Sequence, residues 1–182
     1  MHSPSAFQSA DTVNRVVALL VRFPELHSVR SNPADATLTL SFAVRERLDR
    51  TKGRILADRI SEHLRAFLDL RGETPGKIAV ACERDATVSF VHVTRDAASF
   101  AREELELLVS IFAGDYGDRL VRDGTGAPID EDPASREELV EVALDALRDP
   151  NQRRRLVGFR EEQRVLVYFV HARKRPKVRA RS

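Results

Sequence analysis

The side chains able to do chemistry fall into three groups: five histidines with one cysteine, a set of loop aspartates, and two runs of cations. An imidazole can bind a metal or carry a proton near neutral pH. The histidines are His2, His27, His63, His92 and His171, and no two stand in an HxH, HxxxH or HExxH spacing. No local zinc or iron site is therefore encoded. His63 lies between Ile60 and Phe67 in a helical pattern, as a helix-edge residue against the core would. His92 and His171 lie near strand ends and act together only if those ends meet. Cys82 is the single cysteine, so neither an internal disulfide nor a cysteine-based zinc site can form. Arg84 would favour its thiolate and Glu83 would oppose it, which leaves a small, half-buried strand residue.

Asp115, Asp118, Asp123, Asp130 and Asp132 offer hard oxygen ligands of the kind calcium and magnesium take. They lack the EF-hand spacing, and aspartate is a common turn former among glycines and prolines. The glycines form neither GxxxxGK[ST] nor GxGxxG, and there is no GxSxG. The expectation is no metal, no cofactor and no nominated catalytic residue, in a protein leaning away from enzymes.

The cations are the remaining lead. Arg153, Arg154 and Arg155 precede the last strands; Arg173, Lys174, Arg175, Lys177, Arg179 and Arg181 follow them. Such side chains hold phosphates through counterion release without reading sequence. Tyr168 and Phe169 are the neighbouring aromatics for base stacking, and in a strand one of them must face inward. No RNP1 pattern is present. Charge is distributed unevenly: residues 96–147 carry 4 cations and 14 anions, and residues 148–182 carry 12 and 3. A total of only +2 hides this asymmetry. It points to an anionic partner, nucleic acid or an acidic protein, bound non-catalytically by the basic C-terminal region. Two readings compete. The basic end could lie on the acidic middle of the same or a second copy, in a structural or regulatory homo-oligomer. Alternatively, the Gly114–Asp132 loop could serve a small ligand or an enzyme.

The elements that must carry these groups are organised around residues 77–96, which read as a hairpin running into a helix. Val88 and Phe90 point one way, Val91 and Val93 the other, which suggests a central strand covered on both faces. Asp96 is placed to cap the next helix, whose stripe runs from Phe100 to Phe112. Asp35-Ala36-Thr37 recurs as Asp85-Ala86-Thr87, each before a strand that feeds a helix, which suggests a repeat. Elsewhere the patterns give a helix from Asp11 to Val21 and a short strand at His27–Arg30. Leu38, Leu40 and Phe42 mark a strand with one wet face, and a long helix opens at Asp49 or Thr51. Ser135-Arg136-Glu137-Glu138 is a capping box, and a second strong hairpin runs from Leu156 to His171. Residues 119–122 and 127–129 suggest a minor hairpin.

These patterns give an α+β two-layer sandwich: a mostly antiparallel sheet of five or six strands, with helices largely on one face. Its β-α-β-β-α-β core fits a ferredoxin-like order, 4-1-3-2, which leaves no slot beside Leu38–Val44 for the His27–Arg30 strand. Residues 1–9 read as a disordered N-terminus, 10–172 as one domain and 173–182 as a disordered basic tail. The expected core is Val17, Leu20, Phe42, Ile60, Leu64, Phe67, Val80, Phe90, Leu108, Phe112 and Val167. No apolar run exceeds strand length and the start carries no signal-peptide pattern, so a cytoplasmic protein with no membrane partner is expected.

Overall fold

The computed structural model describes residues 4–123, 132–162 and 164–170, with side chains described from residue 10 onward. Six strands form one antiparallel sheet: β1 (Ser28–Asn32), β2 (Thr37–Val44), β3 (Ile78–Asp85), β4 (Val88–Asp96), β5 (Arg155–Glu161) and β6 (Arg164–Val170). Their spatial order is β3-β4-β2-β1-β5-β6, with every pair antiparallel. Three hairpins thus lie side by side. β3, β4 and β2 keep the ferredoxin-like sequence of neighbours, but β1 takes the slot that order reserves for the last strand. Its turn to β2 is only four residues long, so this pairing closes at little entropic cost. The last hairpin, β5 and β6, is displaced outward so that β5 pairs with β1.

Helices α1 (Pro4–Arg22), α2 (Arg50–Leu70) and α3 (Arg102–Tyr116) all pack on one face of the sheet, and α4 (Pro133–Arg148) lies against α1 and α3. Among the described residues, no helix is long and apolar enough to cross a membrane. Leu38, Leu40, Phe42 and Val44 of β2, with Val91 and Val93 of β4, form the floor of the core. Phe112 of α3 stacks on Phe42 with ring centroids 3.9 Å apart. α1 sits so close to β5 that a Cβ at Gly158 would lie 2.9 Å from Leu20 Cδ1. Asp49 caps α2 by accepting from Lys52 N–H at 2.8 Å. Gly72, at φ 68°, ends it, with Glu73 N–H donating back to Leu68 O in a Schellman turn.

Several elements differ from expectation. α1 begins at Pro4, so Asp11 lies inside it and pairs with Arg15 instead of capping. The helix turns Val16, Leu19 and Leu20 into the core and leaves Val17 at its margin. α4 begins at Pro133 with Asp132 at its N-cap position, three residues ahead of Ser135, the N-cap of the capping-box pattern. Phe67 is only partly buried, with the Arg71 guanidinium over its ring. The two Asp-Ala-Thr triplets both fall at hairpin turns, with Ala36 and Ala86 at φ 50° and 46°. Thr37 already begins β2, whereas Thr87 is still in the turn, so the triplets are one residue out of structural register. Leu120 bridges to Val44 after a 3₁₀ turn at Gly117–Arg119. The partner segment of the expected minor hairpin, 127–129, lies outside the described residues.

β4 is covered on one face only. Ser89, Val91, Val93 and Arg95 lie beneath the helices, while Val88, Phe90, His92 and Thr94 face away and stay partly exposed. The two-sided cover expected from the apolar pattern is absent, because the helices that meet the sheet all pack on one of its faces. Phe90 accordingly leaves the core.

Asp96 does not cap α3, whose N-cap is Ala101. It joins the sheet to that helix instead. Its carboxylate accepts from Lys77 N–H at 3.0 Å and takes short hydrogen bonds from Ser99 Oγ and Arg95 Nη1. Burial alone would raise this carboxyl, but the Ser99 and Lys77 bonds and the Arg95 charge outweigh it and hold the value at about 2. A carboxylate depressed in the folded state contributes stability above its unfolded value of 3.8, and loses it as pH falls toward about 2. The thermal midpoint of the wild type should therefore fall more steeply between about pH 4 and pH 2 than that of Asp96→Asn. Parallel melts of the two proteins across that window check this, and identical slopes would contradict it.

Candidate binding surface

The helices leave one face of the sheet uncovered. Because strand side chains alternate, the register determines which residues meet on it. Leu166, Phe159, Ser28, Ser41, His92 and Ala81 form one row across the six strands. Tyr168, Val157, Arg30, Thr39, Thr94 and Ala79 form the next. At the end of the sheet beyond the second row, Arg155 stands opposite Val170 and donates Nε–H to Asn32 Oδ1 at 3.1 Å. Lys77 precedes β3 at the same end. Arg30, Thr39, Thr94, Val157 and Tyr168 of the second row, with Lys77, Arg155 and Val170, line an open cavity of about 620 Å³. Three cations, Arg30, Lys77 and Arg155, line it against one carboxylate, Asp35, which is itself bonded to Asn32.

The floor of this face is polar yet shielded. Ser41 is fully buried, so the wet face expected for β2 is closed over by neighbouring strands. Ser41 Oγ and His92 Nδ1 are 2.7 Å apart, and His92 Nε2 lies 3.4 Å from Glu83 Oε2. This chain of serine, imidazole and carboxylate has the partners of a hydrolytic relay, but its hydroxyl is sealed from any substrate, so it links β2 to β4 structurally. Thr39 Oγ1 and Thr94 Oγ1 share a hydrogen bond of 2.9 Å. His27 tilts over Phe90 at 4.9 Å, and burial pushes its imidazole below the ordinary histidine range. Ser28 Oγ is buried with no hydrogen-bond partner among the described residues.

The aromatic pair at residues 168 and 169 divides between the faces. Phe169 turns toward the helix side, where the Arg154 guanidinium lies 4.4 Å from its ring centroid. Tyr168 turns out onto the open face, 48% exposed, and Phe159 meets it edge-on at 5.9 Å.

The cations, histidines and aspartates prominent in the sequence lie in separate places. Arg155 reaches the open face, Arg154 the opposite one, and Arg153 is exposed at the approach to β5. Arg173, Lys174, Arg175, Lys177, Arg179, Arg181 and His171 lie outside the described residues. His63 is exposed rather than against the core, and its Nδ1 donates to Arg59 O at 2.8 Å. Cys82 lies under α2, its thiol 3.5 Å from Gly53 O and pushed up by burial, which suits an unreactive residue. Asp115 pairs with Arg59, Asp132 stands at the N-cap position of α4 without a side-chain capping bond, and the Asp123 carbonyl accepts from Arg160. Among the described residues no three His, Cys, Asp or Glu side chains come together as a metal site would require. Asp130 lies outside them.

Arg30, Lys77, Thr39 and Thr94 are not visible as a group from sequence. They come from four separate segments, and only the pairing of β1, β2, β4 and β3 unites them. Fold and surface together define an α+β domain with one bare sheet face. No protein-family model, curated protein or solved structure matches this chain.

Proposed function

We propose that this protein is a non-catalytic binding module for an anionic partner, engaged through the basic end of its open sheet face and the cations that follow β6. One observation carries the reading: Arg30, Lys77 and Arg155 line the open groove, and the chain leaves β6 at Val170 on that groove's wall. The sequence then continues with six cations and no anion between residues 173 and 181. Cations gathered from distant segments beside a basic run make an electrostatic footprint for phosphates or carboxylates.

The acidic middle meanwhile finds partners close by. Arg102 contacts Glu103, Glu106, Glu137 and Glu141, Arg95 contacts Glu104, and Arg59 contacts Asp115. Such internal pairing lowers the need for the basic end to neutralise that region, and so favours an outside partner over a homo-oligomer.

Deleting residues 171–182 should leave the thermal midpoint nearly unchanged and weaken binding to a polyanion. The slope of log affinity against log salt should become shallower by about 0.9 for each duplex phosphate that the shortened chain no longer neutralises. Titrations of both proteins between about 50 and 200 mM salt measure it. Absence of polyanion binding at the low-salt end, or a salt-sensitive dimer that forms without one, would displace this function in favour of self-association.

A further inference from the structure

We infer that the open sheet face is a stacking site for single-stranded nucleic acid, with Tyr168 as the platform and Arg30, Lys77 and Arg155 as its phosphate-holding rim. This rests on the reading above, that the basic end meets an anionic partner, and specifies which one.

Aromatic rings with a polar handle are scarce in this chain, which has no tryptophan and two tyrosines beside nine phenylalanines. Tyr116 is 8% exposed and stacks on Phe112 inside the core. Tyr168 stands outward, and the Phe159 ring meets it at an interplanar angle of 88°. That packing orients the phenol without covering both its faces. A large aromatic held in place on a bare strand face is what an unpaired base needs.

The neighbours supply the rest of a nucleotide site. Tyr168 shares its row with Arg30, Thr39 and Thr94, on strands spaced about 4.8 Å apart. A base on Tyr168 would thus have a guanidinium two strands away and hydroxyls beyond it. Arg30 and Lys77 are exposed, and no ion pair holds either among the described residues. Each hydroxyl of the Thr39–Thr94 pair keeps an unused lone pair for a base edge. A duplex hides the faces of its bases, and an acidic protein offers carboxylates without the ring-and-phosphate repeat of a single strand. Single strands use both the charge and the stacking surface.

Tyrosine emission tests this on the full chain, since no tryptophan masks it. The probes are an oligothymidylate of about 15 nucleotides, a duplex of the same length, heparin and polyglutamate, at about 50 mM salt. Oligothymidylate should quench the emission and bind more tightly than the duplex or polyglutamate, and heparin should bind without quenching. Tyr116→Phe should keep the quench. Tyr168→Leu, which retains an apolar residue suited to an exposed edge strand, should lose it. It should also weaken oligothymidylate binding by about 5- to 150-fold, with heparin affinity unchanged. Arg30→Ala should weaken both ligands together. Oligothymidylate binding without a quench, equal affinity in Tyr168→Leu, or tighter binding of the duplex or polyglutamate would overturn the stacking site and leave the anion-binding reading standing. Binding of none of the four probes would remove both. The wild-type quench needs no variant, so misfolding of a mutant cannot decide the outcome.

Discussion

Replacing Glu104 with alanine should cost about 3–5 kcal/mol, because it leaves two edges of a buried guanidinium, Nε and Nη2, without their carboxylate. Arg95 is 1% exposed and Glu104 is fully buried. Their pairing is bidentate, Nε to Oε2 at 2.7 Å and Nη2 to Oε1 at 3.0 Å. Such a fork satisfies Nε and Nη2 with one carboxylate, which neither Lys77 O nor Ser99 Oγ could replace, and the remaining carboxylate, Asp96, is bonded to Nη1 alone. Glu104 also accepts from Ala101 N–H at 3.4 Å, so the same residue ties the start of α3. Urea titration should show the midpoint falling with little change in slope, and a drop in stability below about 1 kcal/mol would contradict the buried pair. Arg95→Met with Glu104→Leu should recover most of that stability, since apolar residues of similar volume avoid the desolvation cost that a buried ion pair bears.

Val91→Asp should unfold the protein outright, while Phe90→Asp should leave it folded. The two residues are adjacent, yet Val91 is fully buried opposite Phe42, and Phe90 lies on the uncovered face beside His27. An unpaired carboxylate at Val91 would have to be buried charged or forced neutral, at several kcal/mol against a total stability of about 5–15 kcal/mol. At Phe90 the carboxylate can reach water, and the damage is confined to apolar packing and the ring pair. Circular dichroism and thermal melts of the two variants read the contrast. Equal unfolding of both would show that the open face is covered after all.

That contrast marks the limit of what the chain declares about itself. Local interactions are legible: the opening of the long helix at Asp49 and the hairpin at residues 77–96. Each depends on residues a few positions apart, where spacing alone determines who meets whom. Strand alternation places Phe90 and Val91 on opposite faces for the same reason. It cannot say which face the helices will cover, because cover depends on where α2 and α3 return.

The sequence by itself thus determined an α+β chain of hairpins and amphipathic helices, with an acidic middle and a basic end. The strand order was decided by competition for one edge of β2. β1 won it through a short local turn, and β5 and β6 were moved outward. Only that arrangement brings Arg30, Lys77, Arg155 and Tyr168 to one groove, from parts of the chain more than a hundred residues apart. Charge and aromaticity are properties of single residues and can be counted in a string. A surface is a property of which strands pair, and pairing is decided by the whole chain at once.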